Sequence, residues 1–117
     1  MHLFAGVRVR DFGAALAWYR RLLGEPSFFP NDVEAVWTLA EERSIYIVED
    51  GERAGGSVLL VFLEDLDAQV AAISERGLEP GERETYANGV RKVIYRDPDG
   101  NEVAFGGPAI ASATMEA

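Results

Sequence analysis

The strongest constraint on this chain is that it repeats itself. Val7, Val9 and Asp11 recur as Val61, Leu63 and Asp65 at a constant offset of 54 residues, and Glu25-Pro26 recurs as Glu79-Pro80 at the same offset. A repeat of that length is one supersecondary unit used twice, so whatever the first half folds into, the second half copies. In the first half, Leu3 to Arg10 alternates with the period of a half-buried strand. Leu3, Ala5, Val7 and Val9 lie on one side and Phe4, Gly6, Arg8 and Arg10 on the other. Asp11 is a good helix cap. Phe12, Ala15, Leu16, Tyr19 and Leu22 follow at helical spacing, with Arg20 and Arg21 in the last turn and Gly24 to end it, which predicts a helix from about residue 12 to 23.

Phe28 and Phe29 belong to a strand, and Val36–Leu39 and Ile45–Val48 read as two more, hinged at Glu41-Glu42-Arg43. The polar, glycine-containing run from Glu49 to Gly56 links the halves. Beyond it the order restarts with a strand at Val58–Leu63 and a helix that Asp65 opens, Leu66, Val70 and Ile73 stripe, and Arg76-Gly77 close. Glu82–Tyr86, Val90–Tyr95 and Glu102–Phe105 supply the final strands. Between the last two, Asp97-Pro98-Asp99-Gly100 reads as a tight turn: proline presets φ at the second position and glycine accepts a positive φ. The expected fold is α+β, two tandem βαβββ modules at about residues 2–50 and 57–106 within a single domain spanning 1–117. The residues from 107 to 117 are expected to form a frayed tail.

With 117 residues and 48% hydrophobic side chains, one core is affordable. The absence of cysteine excludes disulfides, thiol nucleophiles and thiolate metal sites. A net charge of −9 argues against a nucleic-acid partner; it suits a cationic ligand, though a plain soluble acidic surface is the simpler reading. No apolar run is long enough to span a membrane and the N-terminus does not read as a secretory signal, so a cytoplasmic location is expected, with no membrane partner. Serine hydrolysis finds no base except His2, which beside the initiator Met reads as a solvated side chain, and Gly55-Gly56 does not open a helix as a phosphate loop would.

The duplicated βαβββ unit, the aromatic helix Ala17-Trp18-Tyr19 ending in Leu22-Leu23-Gly24, and the Arg96-Asp97-Pro98-Asp99-Gly100-Asn101 turn together resemble the vicinal-oxygen-chelate superfamily. That superfamily includes glyoxalase I, extradiol dioxygenases, fosfomycin-modifying enzymes and bleomycin-resistance proteins. The resemblance covers residues 1 to about 106. It implies curved sheets facing a shared cleft, commonly completed by a homodimer.

In metal-dependent members the resemblance places ligands early in the first strand of each module and in the strand after the Asp-Pro turn. In this chain those positions are Phe4, Val58 and Ala104, none of which can bind a metal, and no cofactor is expected. Side chains expected to line a ligand cleft are Phe4, Arg8, Trp37, Tyr46, Val58, Leu60, Phe62 and Ala104. Trp37 is open between stacking on a ligand and packing in the core, because alternation does not say which face it takes. Arg8 and Arg91 either pair with acids or orient an anionic group. Trp18 and Tyr19 read as core.

The leading expectation is a metal-free binding protein like the bleomycin-resistance branch, holding an aromatic or cationic antibiotic or metabolite. Val90-Arg91-Lys92-Val93-Ile94-Tyr95-Arg96-Asp97-Pro98 is similar to a run in that branch. The alternative is a metal-independent lyase, isomerase or epimerase using Glu102, Tyr46 or Tyr86 as acid or base. A metal-dependent glyoxalase or dioxygenase fits these residues least, and an assembly domain with a vestigial cleft is the remaining class.

Overall fold

The computed structural model describes residues 1–110. Its elements are β1 (Leu3–Val9), α1 (Phe12–Leu23), β2 (Phe28–Asn31), β3 (Glu34–Ala40), β4 (Arg43–Glu49), β5 (Val58–Phe62), α2 (Leu66–Glu75), β6 (Glu82–Thr85), β7 (Arg91–Arg96) and β8 (Glu102–Gly107). The repeat is visible in the topology. The first sheet, sheet A, has the order β1-β4-β3-β2, and the second, sheet B, the order β5-β8-β7-β6. In each, the first strand lies parallel beside the last strand of its module and the remaining pairings are antiparallel.

The duplicated caps also do the same work. Asp11 accepts a hydrogen bond from the Ala14 backbone N–H and Asp65 from that of Ala68, each at 3.0 Å, satisfying a donor that an α-helix leaves unpaired in its first turn. Strands β3 and β4 run longer than the apolar pattern alone indicates, because their flanking polar residues still complete the ladder. Glu42, at φ 60, takes the left-handed conformation that the hinge between them needs.

Each sheet buries the face that carries its helix. Val7, Val9, Ile47 and Ala35 of sheet A share one cluster with Tyr19 and Leu22 of α1, and that cluster continues through Leu66 and Ile73 of α2 into Val93, Tyr95, Val103 and Phe105 of sheet B. The expectation that Tyr19 is core holds, and Trp18 packs against the same cluster, edge-on to Tyr19. One expectation fails at the end of the chain. The tail was expected to begin at 107, yet β8 runs through Gly107, which is buried because Leu66 closes over it; a Cβ there would lie 2.7 Å from Leu66 Cβ. Residues 111–117 of that expected tail lie outside the described residues.

The two modules are joined chiefly through the Asp97 turn. Asp97 and Asn101 are buried, at 5% and 0% exposure. Asp97 Oδ1 accepts the backbone N–H groups of Asp99 (2.8 Å) and Asn101 (2.9 Å), while Oδ2 accepts Asn101 Nδ2 (2.8 Å) and the Tyr19 hydroxyl from α1 (2.9 Å). Asn101 Nδ2 also donates to the Arg8 carbonyl (3.1 Å), its Oδ1 accepts from the Ser57 N–H (2.9 Å), and Asp99 Oδ2 accepts from the Arg10 N–H (3.0 Å).

The linker crosses directly above this turn. Gly55, at φ 89, passes so close that a Cβ would sit 2.9 Å from the Asp99 carbonyl oxygen, which only glycine permits. A second tie runs between helices, where the Arg76 guanidinium at the end of α2 donates to the Arg21 and Leu22 carbonyls (2.7 and 2.9 Å) and caps α1.

On the other side of sheet A, β1 carries Gly6 opposite Tyr46 of β4. The Tyr46 ring lies across the glycine, and a Cβ at Gly6 would fall 2.5 Å from Tyr46 Cζ.

Two outcomes follow. Burial first, and then the neighbouring Asp97 charge and its hydrogen bond, hold the Tyr19 hydroxyl proton far above the usual tyrosine value of 10.0. Tyr19→Phe should therefore cost about 1.5–3 kcal/mol near neutral pH, because it strips a donor from a buried carboxylate. Because the native pKa is raised, this part of the stability is present below about pH 10 and declines as pH climbs above it. Denaturant midpoints collected from pH 8 to 11.5 should accordingly fall less steeply above pH 10 in the variant than in the parent. For Gly6→Ala, a double-mutant cycle should show a change of sign: a loss of about 1–3 kcal/mol when Tyr46 is present, and a gain of about 0.5–1 kcal/mol in a Tyr46→Ala background, where only strand propensity remains.

Candidate binding site

Because the helices occupy one side of each sheet, the opposite sides are left open. Strand registers identify what they carry. On sheet A, Phe4 lies opposite Ser44 and Ser44 opposite Thr38; Gly6 lies opposite Tyr46, and Arg8 opposite Val48. On sheet B, Val58 lies opposite Glu102 and Leu60 opposite Ala104, while Phe62 lies opposite Gly106. Phe4 on sheet A and Val58, Leu60 and Phe62 along one face of β5 are between 47% and 68% exposed, an unusual state for large apolar side chains. Phe62 folds toward Gly106 as Tyr46 folds toward Gly6.

Of the expected lining residues, Phe4, Arg8, Tyr46, Val58, Leu60 and Phe62 stand on these open faces. Two do not behave as expected. Trp37 points to the helix side, 2% exposed, with its Nε1 donating to the Gly24 carbonyl (2.8 Å) and its ring beside Tyr19, so it packs in the core and cannot stack on a ligand. Ala104 belongs to the open-face row but is 1% exposed, since a lone methyl sinks between Leu60 and Ile94 in the same row.

Arg8 pairs with Asp50 (Nε to Oδ2, 3.5 Å) and Arg91 with Asp67 (2.8 Å), the acid-paired of the two readings open for each. Glu102 accepts from Arg96 (3.1 Å), which also binds Glu82 (3.0 Å). Tyr86 is half exposed, its hydroxyl 3.5 Å from Glu84.

His2 is exposed, as expected, yet it is held by contacts that the expectation did not include. Its ring stacks on Phe4, with centroids 4.2 Å apart and planes 13° from parallel, and its Nε2 lies 2.8 Å from Ser44 Oγ. No sequence signal distinguishes this from a solvated terminal residue except its parity with Phe4 along β1.

A cavity of about 450 Å³ lies between sheet A and β5, lined on sheet A by Leu3, Ala5 and Ile45, which share the parity of buried Val7 and Ile47 and so stand on the side away from Phe4, and further by the Leu39–Ala40 end of β3 and residues 59–63 in and after β5. Both parities of β5 border it because β5 has a pairing partner on one side only. As a metal centre the open faces have no suitable donor set. The side chains at Phe4, Val58 and Ala104 are hydrocarbon, and among the described residues no three of His, Cys, Asp and Glu gather where they could hold an ion. No helix among those residues is long and apolar enough to cross a membrane.

Comparison with known proteins agrees with this geometry. The crystal structure of a glyoxalase/bleomycin resistance protein from Catenulispora acidiphila DSM 44928 is 61% identical over 92% of this chain and 97% of its own, with a TM-score of 0.89. A bleomycin-binding protein complexed with bleomycin shares the fold at 16% identity, covering 92% of this chain and 98% of its own (TM-score 0.72). So does a lactoylglutathione lyase from Agrobacterium tumefaciens at 19% identity, covering 92% of each chain (TM-score 0.69). Comparison with curated protein sequences gives no match. The profile of one family matches residues 2–105, nearly the whole described chain. On that match and the 61% identical structure, the chain belongs to the glyoxalase/bleomycin resistance protein/dioxygenase superfamily.

Proposed function

We propose that this protein binds a small aromatic or cationic molecule, an antibiotic or metabolite, without a metal and without transforming it, in an apolar cleft that a second copy of the chain completes. The observation that carries this reading is the pairing of hydrocarbon side chains at Phe4, Val58 and Ala104 with wide apolar exposure around them. A cleft built for metal chemistry needs donors at such positions, whereas one built for binding needs surface that gains by leaving water. Glu102, the carboxylate nearest these rows, is already engaged by Arg96, so it is not set up as a free base. A protein of the same fold, 16% identical, is complexed with bleomycin, which supports this reading.

The second copy is argued from shape. The chain measures 53 × 29 × 25 Å with a radius of gyration of 15.1 Å, whereas a compact domain of this length has about 13 Å. Strands β1 and β5 each have a partner on one side only, and their apolar edges and faces are what another chain would cover.

Sedimentation analysis is expected to give a dimer at micromolar concentration, and Phe62→Glu to shift it toward monomer. In a thermal-shift panel of aromatic and cationic antibiotics and metabolites, at least one compound should raise Tm by mass action, with about 2.7 kcal/mol of stabilisation when free ligand is 100 times Kd. Flat curves across a broad panel would contradict the binding reading. Elemental analysis of protein purified without chelator should find zinc, iron, nickel and manganese well below stoichiometric; one equivalent of any of them would contradict the metal-free reading.

A further inference from the structure

The open face of sheet A carries one polar device that burial of apolar surface does not explain. His2 is fixed in two ways, flat against Phe4 and 2.8 Å from Ser44 Oγ, and Ser44 is itself 4% exposed and 3.1 Å from Thr38 Oγ1. Three strands thus contribute to holding one imidazole. The row Phe4–Ser44–Thr38 is a register row of β1, β4 and β3, so the support is set by the ladder and not by a loop. With Nε2 engaged, Nδ1 is the nitrogen left over, and no hydrogen bond reaches it among the described residues. Held this way, His2 offers a hydrogen-bonding atom at the rim of an aromatic platform.

The charged groups nearby offer no comparable opening. On sheet B, Arg96 bridges Glu82 and Glu102, and Lys92 lies 3.9 Å from Glu84. On sheet A, Arg8 is taken by Asp50. An ionic ligand group would have to displace one of these partners, while a neutral hydroxyl or carbonyl would meet an imidazole nitrogen with a vacant hydrogen-bonding position. Resting on the binding reading above, we infer that His2, clamped by Phe4 and Ser44, is the specificity-determining residue of this face, and that it selects an uncharged planar aromatic ligand bearing a hydroxyl or carbonyl group. The ligand ring lies on the aromatic platform and its oxygen meets the His2 ring nitrogen. Because the His2 ring is exposed, an analogue lacking the oxygen loses one solvent-accessible hydrogen bond, worth at most about tenfold in affinity.

The chain has one histidine, so the test can watch it alone. Long-range proton–nitrogen correlation spectra of the 15N-labelled full chain should show one neutral tautomer in excess, and Ser44→Ala should shift the imidazole signals. Signals of a freely averaging imidazole, unmoved by Ser44→Ala, would overturn the clamp.

Three probes then separate the ligand classes: 2-naphthol, naphthalene, and 2-naphthyltrimethylammonium. We expect 2-naphthol to bind at least fivefold more tightly than either of the others and to move the His2 signals. His2→Phe, which keeps a ring on Phe4, should bring 2-naphthol and naphthalene within twofold of each other. Equal binding of all three to the parent, or a preference that survives His2→Phe, overturns the role of His2 and leaves the binding reading standing. Tightest binding of the ammonium probe overturns the neutral-ligand class. Failure of all three to bind removes the binding reading of this face, and the His2 inference with it.

Discussion

A buried carboxylate must be surrounded by donors or it does not stay buried, and in this protein that requirement ties the two halves of the chain together. Asp97 takes four hydrogen bonds: from two backbone N–H groups and the Asn101 amide within its own turn, and from the Tyr19 hydroxyl of the other module. Only the last of these spans a long distance in sequence. Asn101 and Asp99 extend the same cluster to the Arg8 carbonyl and the Arg10 N–H, so both ends of the β1–α1 corner are fixed to one hairpin. Removing a partner from buried Asp97 or Asn101 would leave an acceptor or donor with little water to replace it. The joint therefore sets the placement of the modules as well as their stability.

The rest of the architecture follows from where that joint lies. It sits where the two modules meet on the helix side, so α1 and α2 and the inner faces of both sheets merge into one core. The outer faces are then left with Phe4, Val58, Leu60 and Phe62 in water. Within one chain this arrangement exposes too much apolar surface, and it is the arrangement one expects if another molecule, a second copy and a ligand between them, is part of the functional state. On the binding reading proposed above, the hydrocarbon side chains at Phe4, Val58 and Ala104 supply apolar surface and no donor atoms.

Much of the fold was legible in the sequence because it depends on local period. Alternation in Leu3–Arg10, the Asp11 and Asp65 caps, and the offset of 54 between them are properties of neighbouring residues, and each reappears in the structure. What could not be read depends on contacts across the chain. Asp97-Pro98-Asp99-Gly100 reads as a turn and is one, but nothing local reveals that its carboxylate meets a tyrosine 78 positions away. Trp37 lies in a strand whose alternation fits either face, and the deciding contact is the distant Gly24 carbonyl. The parity of Ala104 follows from its strand, yet its depth depends on the larger side chains flanking it. His2 is exposed as expected, but nothing local reveals the ring stack on Phe4 and the Ser44 contact that orient it.

The proposed binding cleft is tested most directly by a crystal structure of the protein grown with its strongest-binding aromatic compound. That compound should lie between the open faces, in contact with Phe4 and His2 on one side and Leu60 or Phe62 of a second copy on the other, with no metal ion within bonding distance of it. Density for the compound on the helix side, or a metal ion joining it to the protein, would contradict the proposal.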